Sequence, residues 1–136
     1  MVYLCNHKSA LFDYDEGKRI FKSNDKRLNC PFDYDTIIDN DWFFTVLNNQ
    51  GVTVGICYIL MDKLENKTVP FYSGAFDRKK HKEAIEAHKI LLDLAFKHFD
   101  RVYTWTPFLH AQIFNIKAGM ARHEKNSNLF YIDRRK

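Results

Sequence analysis

A long amphipathic helix between two β-rich segments is the feature that most limits how this sequence can fold. Apolar side chains recur at the spacing of one helix face through residues 78–99. The stripe consists of Ala84, Ile85, His88, Leu91, Leu92, Ala95, Phe96 and Phe99. Residues 68–76 before this helix and 101–106 after it favour strands. A strand, a helix and a second strand in this order predict a parallel pair joined by a crossover.

The remaining segments predict further strands and short helices. Two β-rich segments flank the turn at residues 48–51 and therefore predict a hairpin. The other predicted strands are 2–5, 42–47, 52–61, 120–125 and 129–133, and the other predicted helices are 16–23, 35–39 and 108–118. Pro107 precedes the last helix and Gly119 ends it. The predicted fold class is α/β (α+β), with a mostly antiparallel sheet and a central parallel pair in a single domain, 1–136.

Composition excludes several classes of protein. The chain has 136 residues, of which 46% are hydrophobic, so it can bury a core without a disulfide or metal. Cys5, Cys30 and Cys57 are odd in number and lack CxxC spacing, which favours free, mostly buried thiols and no metal site. No segment reads as a signal peptide or membrane span, so we expect a soluble, cytoplasmic protein without membrane partners.

Positive charge is concentrated at the start of the long helix. The formal net charge of +4 is small for a dedicated nucleic-acid-binding protein, and nucleic acid is not an expected partner. Five basic residues fall in the predicted first turn: Arg78, Lys79, Lys80, His81 and Lys82. The helix dipole is already positive there, and Asp77 is the predicted N-cap. A bound anion such as phosphate would stabilise this arrangement, and a solvated basic face is the alternative.

This order of elements resembles the GNAT superfamily of acyl-coenzyme A N-acetyltransferases over roughly residues 42–134. In that family the loop after the fourth strand reads Q/R-x-x-G-x-G/A, and its amides cradle the coenzyme A pyrophosphate. The corresponding stretch here is Lys79-Lys80-His81-Lys82-Glu83-Ala84. Lys79 keeps the basic first position and Ala84 the small last position, while Lys82 replaces the middle glycine. Within the superfamily, the chain looks most like small phage-encoded members.

The resemblance implies acetyl-CoA as acyl donor and a coenzyme site around this loop. The implied coenzyme-binding residues are Ala75, Phe76, Arg78, Lys79, Lys80, His81, Lys82, Glu83 and Ala84. The family's closing pattern is N-x-x-A, then a tyrosine, then G-F. Ala111 and Gly119-Met120 match parts of it, whereas Phe108 stands in place of the asparagine and Asn115 in place of the tyrosine general acid.

His110 and Asn115 are the candidate catalytic residues. His110 follows the break at Pro107, a corner that faces the acceptor in the GNAT fold, and an imidazole there could transfer a proton. The alternative is a polar residue at a helix start. No carboxylate occurs in residues 68–76 to act as general base, although many GNAT enzymes deprotonate the amine through waters.

Other histidines and aromatic residues have simpler interpretations. His81, His88 and His98 share the long helix without the i, i+4 spacing of metal ligands, and His88 is expected in the core. Four aromatic residues could line an acceptor pocket, although most such rings belong to the core. These are Tyr72, Tyr103, Trp105 and Phe108.

Two functions from different classes are compatible with the sequence. The first is acetyl transfer from acetyl-CoA to an amine, carried by a small molecule or a protein. The second is a catalytically degenerate GNAT-fold binding or assembly protein. The cationic helix start favours the first, and the missing glycine and tyrosine favour the second. A homodimer is compatible with both.

Overall fold

The computed structural model describes residues 1–135, and its elements follow the predicted order. Strands and helices within that range are β1 (Tyr3–Cys5), α1 (Tyr14–Ser23), α2 (Asp25–Leu28), α3 (Tyr34–Ile37), β2 (Phe43–Leu47), β3 (Thr53–Leu64), β4 (Lys67–Phe76), α4 (His81–Ala95), β5 (Arg101–Trp105), α5 (Leu109–Lys117), β6 (Ala121–Arg122) and β7 (Leu129–Asp133).

The strands form one mixed sheet in the order β1-β2-β3-β4-β5-β7-β6. Neighbouring strands are antiparallel except β4 and β5, which are parallel and connected through α4. A crossover helix is the usual connection between parallel neighbours, because a short turn cannot return the chain to the same end of the sheet. The predicted sheet with one central parallel pair is confirmed.

Each face of the sheet carries its own core. On one face α4 buries Ala87 and Leu91 completely. On the other face α1 and α3 bury Ile20 and Tyr34 in a cluster dense in aromatic rings. Alternate residues of a strand point to opposite faces, so β2 and β3 contribute to both cores. His88 of α4 is fully buried, which confirms its assignment to the core.

The predicted bounds of the long helix are wrong at both ends. The predicted helix spans residues 78–99, but α4 covers His81–Ala95 and only turns follow it. Asp77 is not its N-cap. The backbone N–H of Asp77 instead donates to the Val54 carbonyl at 2.9 Å, and its carboxylate binds Arg19 of α1. These two hydrogen-bonding partners keep Asp77 in line with the end of β4. The helix therefore starts four residues later, at His81.

Smaller boundary differences have local causes. The predicted turn 62–67 contracts to two residues, since β3 and β4 stay paired up to Leu64 opposite Lys67. The predicted strand 120–125 shortens to Ala121–Arg122, since the chain bends at Glu124 and Lys125 before the turn at residues 126–129. The predicted helices 16–23 and 35–39 correspond to α1 and α3, whereas α2 was not predicted and ends at Asn29 with φ +46°.

The three cysteines remain free thiols, as predicted. Cys5 and Cys57 are buried and Cys30 is half-buried. Across residues 1–135, no cluster of three or more histidine, cysteine or carboxylate side chains is placed to hold a metal ion. None of the helices described is both long enough and apolar enough to cross a membrane.

Candidate functional site

A cleft opens where the two parallel strands diverge. β4 and β5 are in register only at Phe71 opposite Tyr103. Beyond that pair, the Thr104 hydroxyl donates to the Tyr72 carbonyl at 2.8 Å, and the strands then separate. The gap broadens into a cavity of about 740 Å³ bounded by α2, β4, the β4–α4 loop, β5 and α5. Its volume lies within the range of small-molecule and cofactor sites.

The β4 side of this gap presents backbone groups. In an antiparallel ladder, successive residues turn their N–H and C=O groups to alternate sides. Because Asp77 bonds to Val54 of β3, the backbone groups of Phe76 and Gly74 face away from β3 and toward the gap. Arg27 of α2 donates to the Gly74 carbonyl at 2.8 Å, which agrees with this orientation. The open edge can therefore hydrogen-bond a ligand that lies along it.

Most of the predicted coenzyme-binding residues line this cleft. Those that do are Ala75, Phe76, Arg78, Lys79, Lys80, His81 and Ala84. Lys82 and Glu83 lie outside the lining. The Glu83 carboxylate instead lies 3.7 Å from the Lys80 ammonium group. The structure thus brings together the loop and the first position of α4, and it separates them from the next two residues.

The start of α4 combines cationic side chains with open backbone donors. Lys80 is the N-cap residue, and its side chain makes no capping hydrogen bond. The first N–H groups of a helix have no partner within it, so the amides near His81 are available to an anion. Lys79 adopts φ +65°, a left-handed conformation that costs a residue with a side chain of the order of 1 kcal/mol. This turn directs the loop along the cleft.

The two candidate catalytic residues lie on α5 and line the same cleft. His110 is exposed in the first turn of α5. Asn115 is the residue of α5 that is buried, with 4% of its surface exposed. Its side-chain Nδ2 has no hydrogen-bond partner within residues 1–135. The structure therefore places both side chains at the wall of the cleft, and the buried Nδ2 of Asn115 has no partner among residues 1–135.

Buried polar groups lie behind the cleft. The rings of Tyr72 and His88 are 4.5 Å apart between centroids, and the Tyr72 hydroxyl has no hydrogen-bond partner in the described chain. Burial lowers the pKa of His88 to about 4, so its imidazole is neutral near pH 7. Burial also raises the pKa of Tyr72 well above its usual value. Tyr72 therefore gives the cleft an uncharged wall, and the neutral His88 lies behind it.

Arg27 and Asn24 are among the lining residues that were not singled out from the sequence. Arg27 and Asn24 reach the cleft from the connection around α2, nearly fifty positions before the strand they face. Burial lowers the pKa of the Arg27 guanidinium, the usual direction for a cation withdrawn from water. Nothing local to Arg27 marks it as a site residue, because its partner is the backbone of Gly74.

Comparisons by sequence and by structure give different results. No protein-family model and no curated protein matches the sequence. A GNAT-family acetyltransferase from Bacillus anthracis matches by structure with TM-score 0.66 and 15% identity, over 97% of this chain and 94% of its own. An acetyltransferase from Agrobacterium tumefaciens matches with TM-score 0.69 and 13% identity, over 98% and 91%. The chain has the GNAT fold.

A third GNAT-fold neighbour carries a nucleic-acid ligand. AtaT complexed with acetyl-methionyl-tRNAfMet matches with TM-score 0.59 and 11% identity, over 98% of this chain and 94% of its own. At these identities the likeness establishes the fold, and it leaves the chemistry to be argued from the residues of this chain. In this chain, the segment that resembles the family's pyrophosphate-binding motif connects β4 to α4 and begins beside the cleft.

Proposed function

We propose that this chain is an acyl-CoA-dependent N-acetyltransferase with acetyl-CoA as donor and an amine as acceptor. The observation that carries the proposal is the cationic start of α4 opening onto the gap between two diverging parallel strands. Acetyl-CoA is a cytoplasmic metabolite, and a cytoplasmic location forms part of the proposal.

The two ends of the cleft suit the two ends of acetyl-CoA. The phosphate groups of the coenzyme would bind Arg78, Lys79 and the first amides of α4. Its narrow arm carries two amides, which can pair with the Gly74 N–H and the backbone groups of Phe76 along the open edge of β4. The thioester at the end of the arm would then lie deep in the gap, near Tyr72 and Thr104.

The reaction is an acyl transfer. The neutral amine nitrogen attacks the thioester carbonyl carbon, a C–N bond forms and the C–S bond breaks. The amine loses one proton, and the departing thiolate takes one. Backbone N–H groups at the open edge can stabilise the oxyanion that forms on the carbonyl oxygen. His110 is proposed to move a proton, and Asn115 to donate a hydrogen bond from its unpartnered amide.

A specific observation favours a second candidate, the degenerate GNAT-fold binding or assembly protein. β4 carries no carboxylate over Lys67–Phe76 that could act as general base. Asn115 occupies the position at which the family has its tyrosine general acid. Such a protein would bind coenzyme A and transfer nothing. The two candidates therefore differ in turnover rather than in coenzyme binding.

Calorimetric titration with acetyl-CoA tests the donor site. We expect saturable binding and a rise in melting temperature with ligand, because a ligand of the native state stabilises it by mass action. Replacing Arg78 and Lys79 together with glutamine should weaken the affinity about tenfold, which corresponds to about 1.4 kcal/mol. The fold should be unaffected, since both side chains are exposed.

The matched control removes two charges from the same helix outside the cleft. Lys82 and Lys89 of α4 are exposed and do not line the cavity. Their double replacement by glutamine should change acetyl-CoA affinity less than about twofold. An equal loss of acetyl-CoA affinity in the two double variants would show that the effect comes from net charge alone. If the wild-type protein does not bind acetyl-CoA at millimolar concentration, the proposed function is wrong.

A further inference from the structure

A second cavity meets the proposed donor cleft at the diverging strands. It has a volume of about 500 Å³ and lies on the side of α2 and the β3–β4 hairpin. The residues that line both cavities are Arg27, Leu28, Tyr72, Ser73 and Trp105. These shared residues mark the junction at which a molecule in one cavity can reach a molecule in the other.

The route of the acceptor follows from this junction and rests on the proposed function. If acetyl-CoA fills the first cavity, its body blocks the approach of an amine through the same opening. A nucleophile must still come within about 3–3.5 Å of the carbonyl carbon to react. The second cavity reaches the junction past residues 29–32 and 60–64, which do not line the first cavity. It is therefore placed to deliver the amine.

The walls of this second cavity are mainly apolar and aromatic. Phe32 and Met61 lie at its mouth with 48% and 49% of their surfaces exposed. Leu60 and Phe71 are paired across β3 and β4 and add two apolar residues to the lining, which also includes Trp105. Large apolar side chains exposed together indicate a ligand site, because isolated exposed residues of this kind are common and clusters are not.

The charges in this lining argue against substrates that carry several positive charges. Arg27, Asp62 and Lys63 are its charged residues, so two cations accompany a single carboxylate. The Asp62 carboxylate also accepts a hydrogen bond from the backbone N–H of Lys63 at 2.7 Å. A polyamine or a sugar with several amino groups would meet net repulsion here. Arg27 at the junction also favours the neutral form of a nearby amine, which is the form that attacks.

We propose that the second cavity is the acceptor site and that it takes amines with an aromatic or apolar body. The amino group would point toward Arg27 and Ser73 at the junction, and the body would lie against Phe32, Met61 and Phe71. The cavity holds a small molecule or a single side chain rather than a folded partner.

The direct test is a panel of amines assayed with the wild-type protein and acetyl-CoA. Phenethylamine and tryptamine should exceed spermidine and a lysine peptide by at least about tenfold in kcat/KM. A polycationic amine or an aminoacyl-tRNA that outperforms the aromatic amines would overturn the proposal. Coenzyme binding without acetylation of any aromatic amine would overturn it as well.

A variant of the cavity mouth tests the location. Phe32→Ala should raise KM for phenethylamine about tenfold, because the aromatic ring covers the bound body. KM for acetyl-CoA should not change, since Phe32 does not line the donor cleft. Leu109→Ala removes a 68% exposed side chain outside both cavities and should leave both constants unchanged. Equal KM values for phenethylamine in the two variants would contradict the assignment of the second cavity as the acceptor site.

Amine binding can be separated from coenzyme binding by fluorescence. The chain has two tryptophans, and Trp105 lies at the junction while Trp42 packs on His98 and Phe99. Titration with phenethylamine alone should quench wild-type emission, and Trp105→Phe should abolish the change. Quenching without any affinity for acetyl-CoA would contradict the proposed function and leave an amine-binding cavity. Coenzyme affinity without quenching would contradict the acceptor site alone.

Discussion

The two edges of strand β4 differ in how far they are paired with neighbouring strands. Toward β3 the strand is paired without interruption, from Gly55 opposite Phe76 to Leu64 opposite Lys67. Toward β5 it is in register at one position, Phe71 opposite Tyr103. The closed edge lies over buried aromatic and aliphatic side chains, whereas the open edge faces the proposed acetyl-CoA cleft.

This difference shows how one strand can serve stability and binding at once. Backbone groups along the closed edge are used by the ladder and cannot take part in recognition. Along the open edge, the backbone groups of Phe76 and the N–H of Gly74 remain for a ligand at the cost of sheet hydrogen bonds, while the Gly74 carbonyl accepts from Arg27. Side chains near the closed edge should therefore control the free energy of unfolding, and those near the open edge should control activity.

The largest effect is expected at the closed edge. Ile56 of β3 pairs with Ala75 and is fully buried against α1 and α3. Ile56→Ala should lower the free energy of unfolding by about 4 kcal/mol, because truncation of a buried isoleucine leaves a cavity. Urea denaturation measures this loss, and Val52→Ala at a 54% exposed position should cost less than about 0.5 kcal/mol. A loss below about 1 kcal/mol at Ile56 would refute the role given to this edge.

The next effect concerns catalysis at the open edge. His110→Ala should lower kcat about a hundredfold, which corresponds to about 2.7 kcal/mol, because a positioned acid or base contributes at least this much. Unfolding free energy should not change, since the imidazole is exposed. Steady-state kinetics with acetyl-CoA and an amine provide the measurement. A change in KM for acetyl-CoA alone would assign His110 to coenzyme binding, and full activity would remove it from the mechanism.

The smallest effect tests the point where the edges begin to differ. Thr104→Val removes the hydrogen bond from the Thr104 hydroxyl to the Tyr72 carbonyl and should cost about 1 kcal/mol of stability. Acetyl-CoA affinity should fall a few-fold with it, because this bond sets where the strands separate. Thr45→Val is the matched control, since Thr45 is buried and bonds the Cys5 carbonyl at the far side of the sheet. Equal changes in acetyl-CoA affinity in the two variants would contradict the proposal that the open edge of β4 controls coenzyme binding.

Element order was predictable because it depends on local patterns. The apolar stripe of α4 and the β-rich segments around it predict the parallel pair without knowledge of any long-range contact. The start of α4 was not predictable in this way. Asp77 looks like an N-cap locally, but Arg19, 58 positions earlier, binds its carboxylate instead. A distant partner therefore overrides local capping preference.

The parts of the candidate site that depend on local sequence patterns could likewise be predicted, and those that depend on distant contacts could not. The basic loop at Arg78–Lys80 was found because its charge conflicts with the helix dipole, a conflict visible within a few residues. Of the four aromatic residues suggested for an acceptor pocket, Tyr72 and Trp105 line the second cavity, whereas Tyr103 and Phe108 do not. The rest of its lining was not found, because Phe32 and Met61 come from other parts of the chain. Lys82 was predicted to bind the coenzyme because it aligns with the family motif. In the structure its position on α4 places it outside the cleft.

The unequal burial of the three thiols gives this protein a native attachment point for chemical labels. Cys5 and Cys57 are closed to reagents in the folded state, whereas Cys30 is half-buried and lines the second cavity. Burial raises the pKa of Cys30, so its labelling at neutral pH is slow and speeds up in mildly alkaline buffer. A fluorophore or spin label carried there would sit where the proposed acceptor enters. The wild-type chain thus needs no engineered cysteine for spectroscopy of that cavity.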